Sequence, residues 1–222
     1  MNLGEMRAAL LENCYDRSQD FLSSVVANRY VNMAAQHISN WADSLRQGLF
    51  LVNGTAYTVV DGQTGDLTLD LDALASVFRP FRRLVAVRRQ NYEGRDRDLD
   101  VVSIEGRDSF QVTAAQALPK CYRFGGKLVL QWPAAMNIIV DYAQSLPAMT
   151  SDNDTPGQTS SGNGEANVLP AEYHHIVVSY ASVLALLALN RLAAAQAWAG
   201  IHGQEREALL QSLGLDQRRG KA

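Results

Sequence analysis

Leu169-Pro170-Ala171-Glu172-Tyr173-His174-His175 stands between a long polar stretch and the most apolar run of the chain. Pro170 suits the first turn of a helix, where a backbone N–H has no intrahelical partner and its loss costs nothing. Glu172 sets negative charge near the positive end of the helix dipole. No Gly or Pro interrupts Ile176 to Ala199, so the sequence predicts a long buried helix from Ala171 to Gly200 and a shorter one from Gln204 to Leu213. Ile176 to Leu189 carries no charge over 14 residues, then Asn190 and Arg191 interrupt. A membrane span needs ~20 predominantly apolar residues. Prolonging this one would bury Arg191 at roughly 2.5–3.5 kcal/mol on insertion scales. The segment reads as a core helix and not as a span.

A core helix needs partners, and the start of the chain offers them. Leu3 to Asn13 reads as a short helix with Leu3, Met6, Leu10 and Leu11 on one side. Cys14 to Asp20 is a polar break in which Ser18 or Asp20 is placed to cap the next helix. Phe21 to Gln47 repeats Leu22, Val26, Tyr30, Met33, Trp41 and Leu45 at helical spacing. Val25, Ala34 and Ile38 widen that stripe, so the helix should face more than one neighbour. Gly48 sits where a glycine stop is expected.

The period changes at Leu49. Leu49 to Val52 and Tyr57 to Val60 read as strands around an Asn53-Gly54 turn. Leu67 to Leu69, Leu84 to Val87, Tyr122 to Phe124, Leu128 to Gln131 and Ile138 to Tyr142 read as further strands, with Gly125-Gly126 as a hairpin signal. Ser103 to Gln111 reads as a short helix or turn. Met149 to Asn167 is rich in Ser, Gly, Asn, Asp and Thr, and is expected to be extended with few internal contacts. The fold class is therefore α+β, a small bundle of N- and C-terminal helices with an inserted, mainly β segment. The expected divisions are 1–48 with 168–214 for the bundle, 49–150 for the insertion, 151–167 for a flexible loop and 215–222 for a polar tail.

The bulk numbers exclude several classes. The 222 residues are 47% hydrophobic and 19% charged, with a formal net charge of −3. That balance does not favour non-specific duplex DNA binding, which goes with a basic excess. Cys14 and Cys121 form no CxxC and suit a reducing compartment. The N-terminus shows no apolar signal region, so secretion is not expected. P-loop, GxGxxG, GxSxG and HExxH patterns are all missing, and nothing nominates a catalytic group. His174 and His175 are neighbours, so on a helix they point ~100° apart and share no face. His37 reads as a core or interface histidine. Asp152-Asn153-Asp154 with Gly157 lacks the terminal glutamate of a calcium loop.

One charge pattern is informative. Arg79, Arg82, Arg83, Arg88, Arg89, Arg95 and Arg97 stand against Glu93 and Asp96, a net of +5. Just before them, Asp61, Asp66, Asp70 and Asp72 give −4. Acidic and basic surfaces side by side suit head-to-tail contact between copies, and such heterologous contacts close into rings. A mixed, solvated surface is the bland alternative.

Leu3-Gly4-Glu5 in a short first helix, a long second helix, a Ser/Gly/Asp-rich loop and Leu169-Pro170-Ala171-Glu172-Tyr173-His174 together resemble the head-to-tail connector (adaptor) proteins of tailed bacteriophages. The order of elements carries that resemblance over most of the chain, with 49–150 matching by pattern alone. The resemblance implies a structural virion protein made in the bacterial host cytoplasm. It implies a ring, usually of twelve copies, between the portal and a tail or nozzle protein. The ring continues the DNA channel for genome ejection, without sequence-specific DNA binding, cofactor, metal, catalysis or membrane. It places portal contact on Arg218, Arg219 and Lys221 of the tail. Ring or tail contact is expected at Asp61, Asp66, Arg79, Arg82, Arg83, Arg88 and Arg89. The competing reading is a soluble phage-encoded enzyme or a host-directed binding protein.

Overall fold

Asn2 opens the first helix. Its Oδ1 accepts from Glu5 N at 2.8 Å while Glu5 Oε2 accepts from Asn2 N at 3.0 Å, satisfying two free donors at once. Helix α1, Leu3–Asn13, buries Leu3, Met6, Leu10 and Leu11, the side that the spacing predicts. The protein is described by a computed structural model at residues 1–16, 18–45, 50–59, 67–71, 81–92, 94–102, 120–124, 127–131, 136–158 and 168–213. It is α+β and divides into two compact units, 1–49 with 145–222, and 50–144.

Helix α2, Ser24–Leu45, begins later than the predicted Phe21. Asp16 is the reason. Its buried carboxylate accepts from the amides of Asp20, Phe21 and Leu22 at 3.0, 3.2 and 2.6 Å, holding them in a turn. Ser18 and Asp20 bond to each other and cap nothing. Ser23 takes the cap position, accepting from Ala27 N through its carbonyl. The expected Gly48 stop lies outside the described residues.

The second half of the helical unit departs from the predicted pattern. A single 3-10 turn, Ala171–Tyr173, leads into α3, His174–Ala188, and then α4, Leu192–Ser212. The break falls at Leu189–Arg191, and Gly200 and Gly203 lie inside a continuous helix. Asn190 adopts φ 53°, a left-handed conformation that Asn tolerates better than most residues. Arg191 then anchors the reversal. Its Nη1 donates to Cys14 O at 2.7 Å, and its guanidinium lies 5.3 Å from the Phe21 ring centre. Periodicity hides this break because both flanks are apolar. A Cβ at Gly200 or Gly203 would meet nothing within 4 Å, although helical glycine costs about 1 kcal/mol against alanine.

Helix α3 is the centre of the unit and packs against α1, α2 and α4. The segment Ala171–Ala188 is long and apolar enough to cross a membrane by length and composition, and more than half of it is buried inside the protein. Rings join the three longest helices. Tyr180 of α3 stacks on His37 of α2 at 4.4 Å and meets His202 of α4 at 5.1 Å. Trp41 lies edge-on to Tyr173 at 6.0 Å and under Arg206 at 4.4 Å. Ser179 Oγ donates to Ile176 O at 3.1 Å and lies 3.2 Å from His202 Nδ1.

Residues 145–158, expected partly in the β insertion and partly in a loose loop, fold with the helices. Asn32 exchanges two hydrogen bonds with the Met149 backbone, and Gln36 donates to Leu146 O. Leu146 and Met149 are buried. The buried Asp154 carboxylate accepts from Thr150 N and Ser151 N, so a polar composition here builds a turn and not a loose loop. The rest of the expected loop, 159–167, lies outside the described residues.

The β unit holds two four-stranded sheets. The first runs β1 (Leu51–Val59), β8 (Met136–Gln144), β3 (Phe81–Tyr92), β4 (Arg95–Asp98), all antiparallel. The second runs β2 (Leu67–Asp70), β7 (Lys127–Gln131), β6 (Lys120–Phe124), β5 (Val101–Val102), with β5 parallel to β6. Leu128 and Leu130 from one sheet and Val87, Ile138 and Val140 from the other share one buried cluster, the period-2 signature of packed faces. The Asn53-Gly54 hairpin is not formed. β1 runs through it as one strand and absorbs the irregularity as a register shift between Val52 and Thr55. Strands β6 and β7 do pair across Gly125-Gly126, with Phe124 opposite Lys127. The predicted element at Ser103 to Gln111 lies outside the described residues.

Burial, with Arg206 and His37 adding repulsion, pulls the His202 pKa from 6.5 down to about 4. Burial lowers His174 and His37 as well. Between pH 6.5 and 4 the unfolded state therefore binds more protons than the folded one, and stability falls as pH falls. The thermal midpoint should drop from pH 7 to pH 4, and His202→Gln should make that drop shallower. A slope unchanged by the substitution would contradict the assignment.

Candidate interaction surfaces

Three segments distant in sequence meet in one joint of the helical unit. Leu3 N donates to Asp154 O at 2.7 Å and Gly4 N to Asp152 O at 3.0 Å. Arg7 grips the Asp152 carboxylate with both terminal nitrogens, at 2.7 and 2.9 Å. That contact raises the Arg7 pKa and lowers that of Asp152. Leu169, wholly buried, donates its amide to Pro156 O at 2.9 Å. His174 Nε2–H donates to Leu169 O at 2.9 Å, leaving Nδ1 to accept from the Met1 amino group at 2.8 Å. The Leu-Gly-Glu helix, the acidic turn and the Leu-Pro-x-Glu-Tyr-His stretch are one piece of structure.

Gly4 has a steric role there. A Cβ on it would stand 3.3 Å from Asp152 Cβ and 3.4 Å from Asp152 O. His174 has both ring nitrogens engaged and offers neither to a ligand. Burial pushes Cys14 up to about 11 and Cys121 up to about 12, which holds both as thiols at neutral pH. Among the described residues, no group of three or more His, Cys, Asp or Glu is placed to hold a metal ion.

The charged residues expected to make contacts are spread unevenly. Asp61, Asp66 and Arg79, and the tail residues Arg218, Arg219 and Lys221, lie outside the described residues. Arg82, Arg83, Arg88 and Arg89 all fall on β3. Arg88 serves its own sheet. Its Nε and Nη2 donate to the two Asp141 oxygens at 3.0 and 3.1 Å, and Nη1 reaches Asp96 at 3.5 Å. Asp141 is nearly buried, and its hydrogen bonds and charge raise the Arg88 pKa. A charge count over 79–97 overlooks this partner because Asp141 lies on β8, adjacent in space but far along the chain.

A family model described as SU10 adaptor protein matches residues 1–222, the whole chain. The chain belongs to the SU10 adaptor protein family. No curated protein matches it. The family is one of phage head-tail adaptors, so the adaptor is a structural phage protein, a virion component that contacts other head or tail proteins.

The joint predicts a steric effect. Gly4→Val would push α1 and the 152–154 turn apart and should destabilise the protein by about 1–3 kcal/mol, the usual range for overpacking. Urea unfolding measures it. A variant as stable as the parent would show that the close approach at Gly4 is not a constraint.

Proposed function

We propose that the protein forms a ring that joins the portal to the tail and continues the DNA channel, with viral DNA passing through unread during ejection. The observation that carries this reading is the family match over the whole length of the chain. The net charge of −3 agrees with a channel wall, since a wall rich in Lys and Arg would hold phosphates. Copies would contact one another partly through opposed charges in the β unit, with Asp61 and Asp66 on one side and Arg79, Arg82, Arg83 and Arg89 on the other. Arg218, Arg219 and Lys221 would reach the portal ring, where weak contacts repeated around the ring add through avidity.

Two measurements test this. Mass spectrometry of purified virions should find the chain at about a dozen copies per particle, a number set by closure of the ring. Truncation after Leu213 should leave the thermal midpoint unchanged and weaken co-sedimentation with portal rings. Leu215 is the one apolar side chain able to anchor the removed tail. Absence from virions overturns the reading. Undiminished portal binding by the truncated chain removes the tail from it.

A further inference from the structure

Two outward faces of the helical unit are unlike ordinary solvent faces, and they differ from each other. On α2, Val25, Arg29 and Met33 follow at steps of four, opposite the buried Ala27, Val31 and Ile38. Val25 is 78% exposed and Met33 47%, and Arg29 between them is exposed. Just ahead of this row stand Tyr15 and Phe21, exposed by 85% and 65%. Rows at steps of four are the ridges with which helices pack against one another.

Helix α4 presents the opposite relief. From Leu192 to Gln204 its 13 residues include no Asp, Glu, Lys or Arg. Only Ala195, His202 and Leu209 of this helix are buried, so Ala193, Ala197, Gly200, Ile201 and Gln204 face outward. The outward rows Ala193–Ala197–Ile201 and Leu192–Gln196–Gly200–Gln204–Ala208 set the small side chains of Ala193, Ala197 and Gly200 between the exposed Leu192 and Ile201, and so form a shallow groove. Among the described residues a Cβ at Gly200 would meet nothing within 4 Å, so packing inside the protomer gives no reason for glycine there. Glycine is useful if another helix comes close from outside. The first acidic residue on this outward face is Glu207, exposed at the groove's end.

We infer that the α2 ridge of one copy seats in the α4 groove of a second copy of this chain, with Arg29 directed to Glu207. The occupant is a second copy because bulky apolar side chains and one cation on the ridge match small neutral side chains and one anion on the groove. Ridge and groove are different surfaces of the same unit, so the contact is heterologous. It repeats from copy to copy and leads to a ring or an open helix according to the rotation. The inference rests on the adaptor reading and deepens it by naming the surfaces that join neighbours.

The test is sedimentation velocity on the purified full chain over a concentration series, with circular dichroism to show that each variant is folded. The parent should self-associate. Arg29→Glu and Glu207→Arg should each weaken association by roughly tenfold or more, and the double exchange should recover part of the loss. Gly200→Leu should abolish association. Gly200→Ala should raise the thermal midpoint while weakening association, opposite signs that separate contact from folding. Association that all these variants leave unchanged overturns the inference. So does a parent that stays monomeric at every concentration yet is present in virions, a result that leaves the adaptor reading standing. Charge variants that lose portal binding but keep self-association would assign these faces to another protein and also overturn it. Absence from virions would sink the adaptor reading alone, since the sedimentation result does not depend on it.

Discussion

A helix with no charged residue from Ile176 to Leu189 is stable in water only when neighbours cover it on several sides. The rest of the helical unit follows from that requirement. Helices α1 and α2 come from the start of the chain and α4 from its end, and all three pack on α3. The chain must therefore return to its beginning after making the β unit. The insertion is closed at its base, where Gln144 N donates to Phe50 O at 2.9 Å. A module whose two ends are tied together can be elaborated without disturbing the helices that carry it.

Where the sequence patterns succeed, local and tertiary forces agree. The spacing of Leu3, Met6, Leu10 and Leu11 specifies α1, and Asn2 with Glu5 caps it locally. Alternation specifies the inward residues of β7 and β8. Where the patterns mislead, a distant partner decides. Asp16 shifts the start of α2 by collecting three amides. Arg191 breaks the last long helix by reaching Cys14, some 177 positions away in sequence. Strand β4, Arg-Asp-Arg-Asp, has no apolar period to reveal it. Among the described residues it ends its sheet, a position where charge discourages pairing with other chains.

The interaction surfaces divide in the same way. The terminal motifs are visible in the sequence as separate signatures, but not as one joint, because their meeting depends on the 150–154 turn folding onto α1. That turn reads as disordered by composition, yet its polar side chains bond its own backbone. The arginine cluster is visible as charge, but the internal role of Arg88 depends on cross-strand neighbours. The ridge and groove on α2 and α4 escape pattern reading altogether. A helix that is apolar on its exposed side looks, by periodicity, like one buried all round.

As a member of this family the protein is a head-tail adaptor of the virion, and a helical frame holds its fold together. The direct measurement is electron cryomicroscopy of purified virions, with the chain traced in the map. The expected result is a closed ring of this chain between portal and tail, with DNA on its axis and the helical unit at the boundaries between copies. Density for the chain elsewhere in the particle, or as isolated copies without a ring, would contradict it.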